Sequence, residues 1–116
     1  MNTTLVIFAS LLGFAASGSA IAKFLKVPQI MASMAHVSVK PGLVPILGVL
    51  EVLGTLGLVL GIWFQSLGVL SAVCLALYFL GAVGSHIKAQ SKIADSLPAF
   101  MIMLIAIAVS YLEILR

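Results

Sequence analysis

Apolar positions along the 116 residues gather into long runs, and short stretches between them carry nearly all of the charge. The runs are Leu5–Ala22, Leu43–Phe64, Leu67–Ser85 and Leu97–Leu115. Each approaches the about 17–25 apolar residues that a helix needs to cross a bilayer. All predict helices, because lipid offers no partner for open backbone and so few short segments cannot close a barrel. The connections are short, so one domain over residues 1–116 is expected. The pattern predicts an all-α membrane protein built as a four-transmembrane-helix bundle.

The connections add detail. The first, residues 23–42, is the least regular, with Pro28 and a Lys40-Pro41-Gly42 turn bracketing "QIMASMAHVSV". Its Ile30, Met31, Met34 and Val37 fall at helical spacing, which predicts a short interfacial helix between the first two spans. His36 would be a solvated side chain near the headgroups. A tight turn at Gln65 and Ser66 joins spans two and three. The third connection ends at Asp95 or Ser96, either of which can cap the last helix ahead of Pro98 in its first turn.

Composition sharpens the picture. The chain is 63% hydrophobic and 8% charged, against roughly a quarter charged in soluble domains. Lys23, Lys26 and Lys40 lie in or border the first connection, and Lys88 and Lys92 lie in the third. The positive-inside rule therefore puts residues 23–42 and 86–96 in the cytoplasm and the termini outside, in an inner (plasma) membrane. Arg116 is the dissenting basic residue. The net charge of +3 is explained by this layout and by lipid headgroups, with no role for nucleic acid. No basic residue precedes Leu5, so a retained span is expected in place of a signal peptide. Asn2-Thr3-Thr4 matches a glycosylation acceptor but abuts a span, so the match reads as chance. Cys74, the sole cysteine, reads as a small apolar packing residue.

Helices in lipid associate through small residues and a few polar contacts. The stripes expected to face inward are Ser10, Gly13, Ser17 and Ala20 in the first span, and Glu51, Gly54, Leu58 and Gly61 in the second. In the third they are Ser71, Cys74, Tyr78, Gly81 and Ser85, and in the fourth Ala99, Met103, Ala106, Ser110 and Glu113. Trp63 and Tyr111 read as interfacial anchors. Glu113, within a turn of the last residue, should reach headgroups or Arg116.

Glu51 is the anomaly, a lone carboxylate inside "LVPILGVLEVLGTLGLVLGIWF". It lies roughly 12 Å from the start of its run, where an ionisable group costs several kcal/mol unless paired, hydrated or neutral. Lys23 can snorkel back toward it, and His86 ends the third span on the same side. Lys23, Glu51 and His86 are expected to converge, and Tyr78 to hydrogen-bond across the bundle or contact a ligand. One Glu and one His fall short of a catalytic zinc set, and no histidine lies mid-span for haem, so no metal or cofactor is expected.

The segments "SGSAIAKF", "PILGVLEVLGTLGLVLG", "LGAVGSHIK" and "LPAF" resemble the DoxX-like family of small four-helix membrane proteins. The resemblance covers nearly the whole chain, and the element around Glu51 carries most of it. It implies a bundle whose recurrent polar positions match Lys23, Glu51 and His86. It also implies association with oxidoreductases, including a thiosulfate:quinone system, or an assembly role like that of a vertebrate factor for nicotinic receptors. The leading expectation is an accessory subunit or partner-binding factor without stand-alone activity. Its expected partners are the bilayer, a membrane protein or a second copy, and a quinone or lipid-like ligand. The alternatives are a proton-coupled transporter resembling the small multidrug-resistance exporters, and an enzyme acting on a quinone or lipid. The first helix lacks the acid that those exporters carry there.

Overall fold

The computed structural model describes residues 3–25, 28–36, 41–89 and 93–116. Their helices are α1 (Thr3–Phe24), α2 (Pro28–His36), α3 (Val44–Leu60), α4 (Gln65–Lys88) and α5 (Ile93–Leu115), with a 3-10 turn, Pro41–Leu43, leading into α3. Three segments are long and apolar enough to cross a membrane: α1, α4 and Ser96–Leu115 within α5. The 17-residue α3 is a shorter apolar helix.

The long helices and α3 close a ring: α1 packs on α3, α3 on α4, α4 on α5, and α5 back on α1. Neighbours run antiparallel. Gly48, early in α3, meets Phe24 at the end of α1, and Gln65, opening α4, bonds to Glu113 near the end of α5. The centre is filled by Leu5, Leu12, Ala16, Leu58, Ala72, Leu75, Phe79, Met103, Ala106 and Val109. Large apolar side chains also cover the outside, Phe14, Leu53, Leu77, Ile107 and Tyr111 among them. A protein apolar both within and without has a solvent that is itself apolar.

Glycine sets how closely α3 and α4 approach. A Cβ on Gly61 would lie 2.5 Å from the Gly68 Cα, and one on Gly54 would lie 2.6 Å from a Leu75 methyl. Between them, Gly57 receives the Ser71 hydroxyl. The pairs Gly54–Leu75, Gly57–Ser71 and Gly61–Gly68 follow one antiparallel register, with backbones close enough for dispersion contact along the seam.

Several expectations change. The second run is not one helix to Phe64, because α3 stops at Leu60 and the turn falls at Gly61–Trp63. Gln65 and Ser66 are the first turn of α4 and not the turn itself. The last helix begins at Ile93, so Pro98 sits inside α5 and not at its opening. At that depth its missing N–H removes only one bond near the helix start, which α5 tolerates. The side chains of Asp95 and His36, and residues Lys26, Val37, Lys40 and Lys92, lie outside the described set.

The inward stripe of α4 is also different. Its buried face is Gly68, Ser71, Ala72, Leu75, Phe79, Val83 and His86, while Cys74, Gly81 and Ser85 are exposed and Tyr78 is half-buried. Ser10 of α1 is likewise exposed, its place inside taken by Leu5, Leu12 and Ala16. The centre of the ring is packed with large apolar side chains interleaved with alanines. Small residues suit the pairwise seams. On α5 the expected face holds, with Met103, Ala106 and Glu113 buried.

Candidate functional site

Glu51 stands on the eighth residue of α3, about 10 Å along the helix, and is fully buried. Lys23, in the last turn of α1, places Nζ 2.5 Å from Glu51 Oε1. The Lys23 ammonium also donates to Ser19 Oγ at 2.7 Å, one turn back on its own helix. Lys23 is itself 7% exposed, so its stem turns inward along the bundle and does not reach out to the headgroups. The antiparallel packing of α1 on α3 makes this geometry available, because it brings the end of one helix beside the second turn of the other.

Tyr78 completes the cluster from α4. Its hydroxyl donates to Glu51 Oε1 at 2.8 Å, with the Leu47 carbonyl at 3.4 Å. Its ring meets Phe79 edge-on, with centroids 4.9 Å apart. Thr55, one turn beyond Glu51, donates back to the Glu51 carbonyl at 3.0 Å, tying the helix backbone locally. Both donors thus converge on Oε1. Glu51 Oε2 is buried with no hydrogen-bond partner.

His86 does not join this cluster. It is buried at 5% exposure, and no hydrogen bond or ion pair links it to Lys23 or Glu51 among the described residues. It follows Phe79 and Val83 along the inward face of α4, so its turn of the helix points elsewhere than that of Tyr78. Its Nδ1 has no partner. Ser19 and the Leu47 carbonyl belong to the site and were not apparent from sequence. The serine lies one turn before Lys23, and that spacing was the available signal.

On the outer side of Tyr78, α3 and α4 leave a cavity of 350 Å³. Leu50, Leu53, Gly54, Leu70, Ser71, Cys74, Leu75 and Tyr78 line it. Glycine at position 54 and small residues at 71 and 74 make the hollow, and Tyr78 connects it to the buried ion pair. Cys74 is therefore a groove residue and not a packing residue of the core. Among the described residues, no three His, Cys, Asp or Glu side chains gather as a metal site.

Comparison with protein families places this arrangement. The model of the DoxX-like family matches residues 7–109. The chain belongs to the DoxX-like family. This is a family of small membrane proteins, and with its apolar helices the DoxX-like chain is an integral membrane protein. Searches of curated proteins and of solved structures gave no match.

The DoxX-like bundle holds a second buried carboxylate, at the opposite end. Glu113 is 1% exposed. Its carboxyl lies against Gly68, where a Cβ would come within 2.7 Å of it. Arg116 pairs with Glu113 Oε2 at 3.3 Å and donates to the carbonyls of Gly61 and Ile62 in the α3–α4 turn. Gln65 donates to the Glu113 carbonyl at 2.8 Å. Arg116 thus closes a turn whose carbonyls would otherwise lack partners in apolar surroundings. Arg116→Gln is expected to lower stability by about 2 kcal/mol, the scale of charge-assisted hydrogen bonds. Denaturant titration in mixed micelles measures this. An unchanged midpoint would mean that water caps the turn instead.

Proposed function

We propose that this DoxX-like protein is a four-span, single-domain accessory subunit or partner-binding factor of the inner membrane. In this reading α3, although short, is the second span, and α2 lies at the interface. Residues 23–42 and 86–96 face the cytoplasm and the termini face outward, as the lysines of the two connections favour. The partner docks on the α3–α4 face, where Tyr78 presents the buried pair to the groove.

One observation carries the proposal: a complete ion pair, Lys23–Glu51, is held inside an apolar bundle directly behind a half-buried tyrosine on a groove. Buried ion pairs contribute little net stability compared with apolar packing. The pair is therefore better explained by what it does for Tyr78. Glu51 fixes the hydroxyl, and the hydroxyl sets the polarity of an otherwise apolar surface. Glu51 and Lys23 act here as positioning residues, with Tyr78 making the contact.

The test is native mass spectrometry of gently extracted wild type beside Glu51→Gln, scoring bound proteins and small molecules together. A protein companion present with wild type and reduced at least about tenfold with the variant is expected, the equivalent of 1.4 kcal/mol. Equal retention, with the variant merely less stable on melting, would make Glu51 a pin between helices and end the proposal.

A further inference from the structure

The end of the bundle where α3 turns into α4 is apolar on its outside. Ile62, Trp63 and Phe64 are exposed in succession at the turn, and Tyr111, Ile114 and Leu115 are exposed at the same end of α5. The far end of α4 differs, with Ser85 and Lys88 exposed. Of the polar side chains beside the turn, Gln65 spends its amide on the carbonyls of Glu113 and Ile114, at 2.8 and 3.5 Å. Arg116 donates to the carbonyls of Gly61 and Ile62. Each donor crosses from one helix to the backbone of another.

The backbone at this tip is therefore served unevenly. Four carbonyls receive donors from the protein, while no side chain caps the first N–H groups of α4. Water both donates and accepts, so carbonyls in water need no ordered side chain, and fixing one costs rotamer entropy. Hydrocarbon does neither, so open N–H groups there would be costly. Surroundings rich in acceptors and poor in donors suit both halves of the tip. The ester carbonyls and phosphate oxygens of a phospholipid accept and do not donate. Arg116 is paired with Glu113, so the tip carries no unpaired charge to that depth.

We propose that the α3–α4 turn and the end of α5 lie in the ester layer of a phospholipid leaflet. There Ile62, Trp63 and Phe64 stand among the upper acyl carbons, and Arg116 and Gln65 take the place of the water that the carbonyls lack. The lipid is thus the partner of this end of the bundle, recognised by hydrogen-bond character as well as by apolar contact.

Trp63 is the sole tryptophan of the chain and stands exposed on the tip, so its emission reports the depth. Purified protein is placed in phosphatidylcholine nanodiscs whose acyl chains carry bromine either near the ester or near the methyl end, and aqueous iodide is titrated in parallel. Emission is expected to be lost most to bromine near the ester, less to bromine near the methyl end and least to iodide. Loss chiefly to iodide would put the tip in water, as a surface for a soluble partner, and would overturn the proposal. Loss chiefly to methyl-end bromine would overturn it, as would loss to no quencher because a second copy covers the tip. Arg116→Gln is expected to shift emission to the red and raise iodide quenching, since the Gly61 and Ile62 carbonyls must then draw in water. A folded Arg116→Gln variant with wild-type quenching would overturn the role given to the capped carbonyls. Should that variant not fold, Gln65→Leu reads the same change at the α5 carbonyls, and the wild-type order stands by itself. No reading depends on the α3–α4 groove or on a protein companion, so these results and those for the partner proposal stand or fall separately.

Discussion

Lys23→Met is expected to destabilise the bundle by about 3–5 kcal/mol, the cost of leaving a buried charge without its partner. Glu51 is fully buried, and Oε1 would keep only the Tyr78 hydroxyl. The double variant Lys23→Met with Glu51→Leu is expected to recover most of that loss, because two apolar side chains of similar size remove both the attraction and the desolvation penalty. Denaturant titration in mixed micelles reads both. A single variant as stable as wild type would show that water reaches the carboxylate and the pair is not dry. A double variant as weak as the single would show that the Lys23 stem packs in a way methionine cannot replace. Since the pair is not needed for stability once both members are gone, loss of the companion in a stable double variant would be the cleanest sign of function.

The second large effect lies on the α3–α4 seam. Gly61→Val and Gly68→Val are each expected to cost about 3 kcal/mol or to prevent folding, at the upper end of overpacking effects. At Gly61 the obstacle is Gly68 backbone, and at Gly68 it is the Glu113 carboxyl, both under 3.0 Å from an added Cβ. The Gly68 backbone cannot move without parting the helices, and the Glu113 carboxyl can give way only by shifting from its place beside Arg116. Gly81→Ala and Gly84→Ala on the outer side of α4 are the contrast. A Cβ there meets nothing within 4 Å, so each is expected to be neutral or to stabilise by about 0.5–1 kcal/mol through helix propensity. Thermal melting of the four variants separates the two pairs. Equal behaviour would mean that α3 and α4 do not approach as described.

The arrangement of helices was legible because hydropathy over some twenty residues is a strong signal, and Glu51 was legible because it interrupts that signal. Helix ends were less so. In "LVLGIWFQS" the stop after Leu60 is signalled only by Gly61, and Gly54 and Gly57 inside α3 show how weak that signal is. The inward face of α4 was misread for a related reason. Small residues serve a seam between helices or a face toward lipid equally well, and only the ring of neighbours decides between Ser71, which is buried, and Cys74 or Ser85, which are exposed. Glu113 was expected on the inward face with headgroups or Arg116 as its partner, and it is buried there and paired with Arg116. His86 was grouped with Glu51 by membrane side and by the family resemblance; it is buried, with no hydrogen bond or ion pair to Glu51 among the described residues. Tyr78 was expected to bond across the bundle. Its partner emerged only from the antiparallel register of α3 and α4.

The reach of Arg116 has a consequence for biosynthesis. The carbonyls it caps belong to residues made 55 and 54 positions earlier. Synthesis runs from the N-terminus, so the α3–α4 hairpin must form before its cap exists. Until α5 arrives, the Gly61 and Ile62 carbonyls must be served by water, holding that turn at the membrane border. Arg116 thus ties a later-made helix to a turn made well before it.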